Sequence, residues 1–136
     1  MGYTNSVRLR GNFDEVVSAT IDALDQEGFG VLCDIDVQET FARKLDAEFQ
    51  RYRILGACNP ELAHEGMTEE PELGALLPCN VVVYEMDEEV VVRAVDPEQL
   101  VGVADTPALD VIASEVHDRF ARVLRTVGQK FESVEA

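Results

Sequence analysis

The chain has 136 residues, 46% of them hydrophobic, enough for one domain around a single core. Its 27 acidic residues against 11 basic ones leave a formal net charge of -16, which repels phosphate backbones and anionic membranes, so no nucleic-acid partner and no membrane partner is expected. No apolar run reaches the ~18 residues of a spanning helix, and Met1 to Arg10 holds no apolar signal region, so a cytoplasmic protein is expected.

Tyr3 to Arg10 reads as a strand, with Tyr3, Asn5, Val7 and Leu9 on one face and Arg8 and Arg10 on the other. Asn12, followed three residues on by Glu15, starts a helix as a capping box. Phe13, Val16, Val17, Ile21 and Leu24 form its apolar stripe, and Gly28 ends it. Phe29 to Val37 is a second strand. Its alternation sets Val31, Cys33 and Ile35 against Leu32, Asp34 and Asp36. Asp36 and Glu39 repeat the capping spacing before a short helix carrying Val37, Phe41 and Leu45.

Tyr52 to Cys58 is a third strand, with Arg51, Arg53 and Leu55 opposite Tyr52, Ile54 and Cys58. Asn59-Pro60 caps a helical turn. A loop punctuated by Gly66, Pro71, Gly74 and Pro78 is expected after it. Cys79 to Met86 and Glu89 to Val95 read as a hairpin through Asp87-Glu88, pairing Glu85 with Val90, Val83 with Val92 and Val81 with Ala94. Asp96-Pro97 stops the second arm. Thr106-Pro107 opens the last helix, whose buried stripe is Leu109, Ile112, Val116, Phe120, Val123 and Val127.

No linker or low-complexity tract interrupts this order, so residues 1–136 form one domain. The fold class is α+β: a mostly antiparallel five-stranded sheet with helices on one face. The other face is open, and the alternation places on it Arg8, Arg10, Arg51, Arg53 and Arg93 beside Asp34, Asp36, Val82, Tyr84 and Val91.

Composition adds two inferences. Only Lys44 and Lys130 are lysines. An acidic, lysine-poor surface on an ordinary globular pattern points to a halophilic cytoplasm, because molar salt screens self-repulsion beyond ~3 Å. Cys33, Cys58 and Cys79 form an odd set with no close pair, which speaks for a reducing compartment and against a disulfide framework.

Several segments together carry a resemblance: Glu27-Gly28-Phe29-Gly30-Val31-Leu32, Asp34-Ile35-Asp36-Val37, Tyr52-Arg53-Ile54-Leu55-Gly56-Ala57-Cys58-Asn59-Pro60, Leu76-Leu77-Pro78-Cys79-Asn80-Val81-Val82-Val83-Tyr84 and Ala94-Val95-Asp96-Pro97. Over Tyr3 to Leu124 the chain resembles the family called "domain of unknown function 302". The resemblance implies a small β-α-β4-α fold, related in topology to one repeat of the TATA-binding protein. That kinship concerns topology and implies no DNA binding. Cys33 departs from the family pattern, which often has threonine or another small residue there. The family name carries no activity, so the resemblance transfers fold rather than function.

Three constellations are candidates for chemistry. Cys58, Cys79 and His64 are soft and imidazole ligands that meet if the third and fourth strands are antiparallel neighbours; a metal site or a redox thiol pair would use them. The alternation also lets all three cysteines sit as small hydrophobes on the covered face. Asn59 and Asn80, with Gly56 and the helix start at Pro60, offer a ligand-binding corner at Gly56, Cys58, Asn59, Cys79 and Asn80. The plainer roles are an N-cap for Asn59 and loop satisfaction for Asn80. Arg51, Arg53 and Arg93 with Val82, Tyr84 and Val91 make a candidate homodimer interface on the open face. His117 falls on the polar side of the last helix, and no catalytic triad, phosphate loop or close carboxylate pair stands out. The expected function is a non-catalytic small-ligand-binding or interaction module acting as a homodimer. The alternative is a metal-binding or thiol-redox protein using Cys58 and Cys79.

Overall fold

The computed structural model describes residues 2–101 and 107–134. Strand β1 (Thr4–Arg10) leads into helix α1 (Phe13–Gln26), started by the Asn12 side chain accepting from the Glu15 backbone N–H at 3.0 Å. Gly28 takes φ 85° at the exit, a left-handed position that costs other residues strain. Strand β2 (Gly30–Asp36) runs directly into α2 (Val37–Leu45), where the Asp36 carboxylate accepts from Glu39 N–H at 2.9 Å. Strand β3 (Tyr52–Cys58) ends at Asn59, the cap of α3 (Pro60–Glu69).

The helical turn expected at Asn59-Pro60 extends to a ten-residue helix, and the loop expected after it includes a 3-10 turn, Pro71–Leu76. Gly66, read as loop punctuation, sits inside α3. A Cβ there would lie 2.6 Å from a Leu73 methyl, so the missing side chain lets the 3-10 turn fold back and bury Leu73. The physical signal is a contact seven residues away, which composition does not carry.

Strands β4 (Cys79–Met86) and β5 (Glu89–Val95) form the hairpin in the expected register, with Asp87 at φ 54° in the turn. Helix α4 (Pro97–Val101) follows, then α5 (Pro107–Lys130) and a two-residue strand β6 (Glu132–Ser133). The expected opening of α5 at Thr106 lies outside the described residues. The sheet is antiparallel and six-stranded, in the order β2-β3-β4-β5-β1-β6, one strand more than expected. The extra strand is β6, too short for any alternation to announce it.

One face of the sheet is the core. Leu9, Leu55, Ala57, Val81, Val83, Val90, Val92 and Ala94 are buried there. The α1 residues Phe13, Val16, Val17 and Leu24 and the whole expected α5 stripe join them. Phe29 and Phe120 close the packing at 4.8 Å between ring centroids.

Two strands sit in the opposite phase from the sequence expectation. In β3, Leu55 lies opposite Val81 and Ala57 opposite Cys79, so Leu55 and Ala57 take the core face and Tyr52 and Ile54 the open one. Arg53 and Arg51 therefore stand on the helix side. Arg53 makes a two-pronged pair with Asp34, its Nε donating to Oδ1 at 2.7 Å and its Nη2 to Oδ2. Arg51 donates to Asp14 at 2.6 Å and lies 4.4 Å from the Phe13 ring centroid, both on α1. In β2 a bulge between Val31 and Cys33 reverses the pleat. Val31 packs on the core, while Cys33 and Ile35 pass to the open face opposite Gly56 and Ile54.

Candidate functional site

The open face carries Tyr52, Ile54, Asn80, Val82, Tyr84, Val91 and Arg93, because these alternate with the core residues of the same strands. An aromatic row crosses it. Phe41 of α2 meets Phe49 edge-on at 5.0 Å, Phe49 lies 6.1 Å from Tyr52, and Tyr52 stacks on Tyr84 at 5.2 Å with the rings 8° from parallel. Helix α2 thus stands at the open-face edge, unlike the helices over the core.

The row ends on Arg93. Its Nε donates to the Tyr84 hydroxyl at 2.8 Å and its Nη1 to Thr4 Oγ1 at 3.2 Å. Arg8, Arg10, Arg51 and Arg53 are each paired with a carboxylate. Among the described residues no carboxylate reaches Arg93. It lines a depression of about 450 Å³ with Tyr3, Thr4, Tyr52, Asn80, Val82 and Val95. Partial burial pushes the Tyr52 phenol above its ordinary pKa, with Tyr84 and Tyr3 adding to the rise and the Arg93 charge opposing it. The depression is an aromatic-walled hollow with one guanidinium and no carboxylate among its lining residues.

The sequence-level ligand corner does not hold together as one site. Gly56 and Asn80 face each other on the open side, whereas Cys79 lies opposite Ala57 on the core side. Gly56 is covered: a Cβ there would meet Cys33 Sγ at 2.6 Å and Pro78 Cγ at 2.8 Å. Asn59 is buried, and its Oδ1 accepts from Leu62 N–H at 3.0 Å, so it is an N-cap. Asn80 is exposed on the open face and joins the Arg93 depression.

Cys58 and Cys79 line a small apolar cavity of about 50 Å³ under α3 and α5, with Asn59, Leu62, Leu73 and Val116 among its walls. Burial pushes the Cys79 thiol up to about 11, and the neighbouring Cys58 adds to the rise. A thiol held protonated is a weak nucleophile at neutral pH. His64 is exposed on α3, and Cys58, His64 and Cys79 do not converge as a ligand set. Among the described residues the convergent ligand group is Asp96, Glu98 and His117 instead. Cys33 is exposed, contrary to its expected place on the covered face, because of the β2 bulge. Of the interface candidates, Val82, Tyr84, Val91 and Arg93 are on the open face, with Val91 buried between Arg8 and Tyr84 in the ladder; Arg51 and Arg53 are not on it.

Sequence reasoning missed the aromatic row. Its members come from α2, the segment after it, β3 and β4, so no local period joins them. Only the placement of Tyr52 opposite Tyr84 was available as a signal, and the phase error on β3 hid it.

No curated protein matches the chain. A crystal structure titled as an uncharacterized conserved protein DUF302 from Bacillus stearothermophilus matches with a TM-score of 0.87 and 31% identity, over 93% of this chain and 99% of that one. The profile of the family described as "Domain of unknown function DUF302" matches residues 5–127. With the sheet order, the core and both Cys-Asn segments in place, the chain belongs to the DUF302 family.

Proposed function

We propose that this protein is a non-catalytic binding module that takes a small acidic ligand on the open face of its sheet and works as a homodimer in a salt-rich cytoplasm. One observation carries the ligand: Arg93, in a chain with 27 acidic residues, is held by neutral hydroxyls and turned toward a hollow. A carboxylate or phosphate on a compact, partly apolar body suits that chemistry. The anion meets the guanidinium, Asn80 supplies a polar edge, and Tyr52 and Tyr3 face the rest.

An exposed apolar patch supports the dimer. Ile35, Val37, Phe41, Phe49 and Ile54 line an apolar patch with no charged side chain, where Ile35 is 45% and Phe49 39% exposed. Molar salt screens the repulsion between two copies at -16, and covering such a patch favours their association. The thiol alternative has Cys58 beside Cys79 in its favour, but the protonated Cys79 thiol weighs against a nucleophilic role.

Thermal shift and titration calorimetry in multimolar KCl with a panel of small mono- and dicarboxylates and organic phosphates test the ligand. A hit that loses at least about tenfold in affinity in Arg93→Gln, and is unchanged in Cys58→Ser/Cys79→Ser, supports the reading. A hit that follows the cysteines overturns it. Light scattering at micromolar protein reads the dimer, and a monomer removes that half.

A further inference from the structure

Three potential metal ligands converge away from the open face. Asp96 follows β5, Glu98 lies in the first turn of α4, and His117 is on α5. Each offers one ligand atom, and the three atoms lie within 4.8 Å of one another. His117 Nδ1 is 3.3 Å from Asp96 Oδ1 and 3.6 Å from Glu98 Oε1.

The first of these separations is a hydrogen bond at the long end of the range, and the second lies beyond one. An imidazolium bonded to a carboxylate closes to roughly 2.7–2.9 Å. The arginine pairs of this same molecule do close, Arg8 on Glu89 at 2.6 Å and Arg119 on Glu115 at 2.8 Å. Ligands bound at the 2.0–2.2 Å of zinc in a tetrahedron stand about 3.3–3.6 Å from each other. The two separations, 3.3 and 3.6 Å, fall in that window.

The frame around the ligands is fixed. The Asp96 backbone N–H donates to Tyr3 C=O at 2.8 Å, and its Oδ1 accepts from Glu98 N–H at 3.1 Å, which sets both acidic residues. His117 follows Val116, which is buried in the core, so its backbone is held by α5 packing. The Asp96 side chain is 14% exposed and His117 33%, leaving one side open to solvent.

We propose that Asp96, Glu98 and His117 form a binding site for one divalent first-row transition metal ion, with zinc as the reference ion and water completing the tetrahedron. The imidazole selects against magnesium and calcium, which prefer oxygen ligands in larger number. The site owes nothing to the cysteines and is separate from the Arg93 hollow.

The test is titration of the purified protein with ZnCl2 in multimolar KCl containing excess MgCl2, which suppresses loose binding to the acidic surface. One zinc per chain is expected, with affinity reduced at least about tenfold in His117→Gln and in Asp96→Asn. The latter variant keeps the oxygen that accepts from Glu98 N–H. Cys33→Ser/Cys58→Ser/Cys79→Ser must bind as the parent does. Cobalt should give the visible absorption of a four-coordinate ion without a thiolate band. Absence of stoichiometric binding, binding that survives His117→Gln, or binding lost with the cysteines overturns the proposal.

Discussion

Leu55 and Ile54 are neighbours on β3 and differ by one step of the pleat. Leu55 faces Val81 and the helices and is fully buried, while Ile54 faces the open side beside Tyr52 and Ile35. The buried strand residues of the core face are all aliphatic, so its cohesion depends on packed volume and area. The open face mixes aromatic rings, one arginine without an acidic partner and an apolar patch, and its side chains cover each other only in part. The first face carries the packed core, and the second carries the side chains on which the proposed recognition rests. The two can be separated because strands present them independently.

Paired truncations break or sharpen that contrast. Leu55→Ala should cost about 2–5 kcal/mol, because the surrounding core cannot collapse into the space. Ile54→Ala should cost under about 1 kcal/mol in the monomer, at protein concentrations too low for the proposed dimer, since Ile54 is only half-buried in the single chain. Urea unfolding of both variants in the same multimolar KCl checks this. Equal losses would mean that the open face is covered in solution and carries as much packing as the core.

Salt divides the molecule along another line. At -16, self-repulsion opposes the folded state, and molar salt screens it. Salt also weakens the exposed arginine–carboxylate pairs, but such pairs are worth only ~0–1 kcal/mol each. Repulsion is spread over the whole surface, so its relief dominates. The melting temperature should therefore rise from dilute to multimolar KCl, with the Leu55→Ala penalty nearly unchanged. Equal melting in both conditions would sink the halophilic proposal.

Much of the core face was legible in the sequence. The α5 stripe and the β4–β5 register follow from periods that extend over many residues, and both caps follow from a residue pair three apart. The open face was half legible. Val82, Tyr84 and Arg93 share the β4–β5 alternation, whereas Cys33 and Ile35 depend on a bulge and Tyr52 on a phase fixed only by which of Leu55 and Ile54 meets the helices. Asp96, Glu98 and His117 come from three elements, and α4 was not foreseen, so their convergence needed the tertiary fold.

The cysteines give the finest test, because one lies exposed on the open face and two line the small apolar pocket under α3. Cys33 is exposed and should react with a thiol reagent in the native protein, while Cys79 should react slowest. The Cys79 thiol also links the covered face to pH. Its folded pKa is raised from 9.0 to about 11 by burial first and by Cys58 second. The folded chain thus keeps a proton that the unfolded chain loses. The stabilisation from the protonated thiol is complete below pH 9.0 and is lost as pH rises toward about 11. Tyrosine and lysine titrate in the same window, so the comparison is with Cys79→Ala. The parent should lose stability more steeply than the variant between those values, read by urea midpoints at constant KCl. Parallel slopes would show that Cys79 ionises as freely as an exposed thiol, and the cavity under α3 would then be open to water.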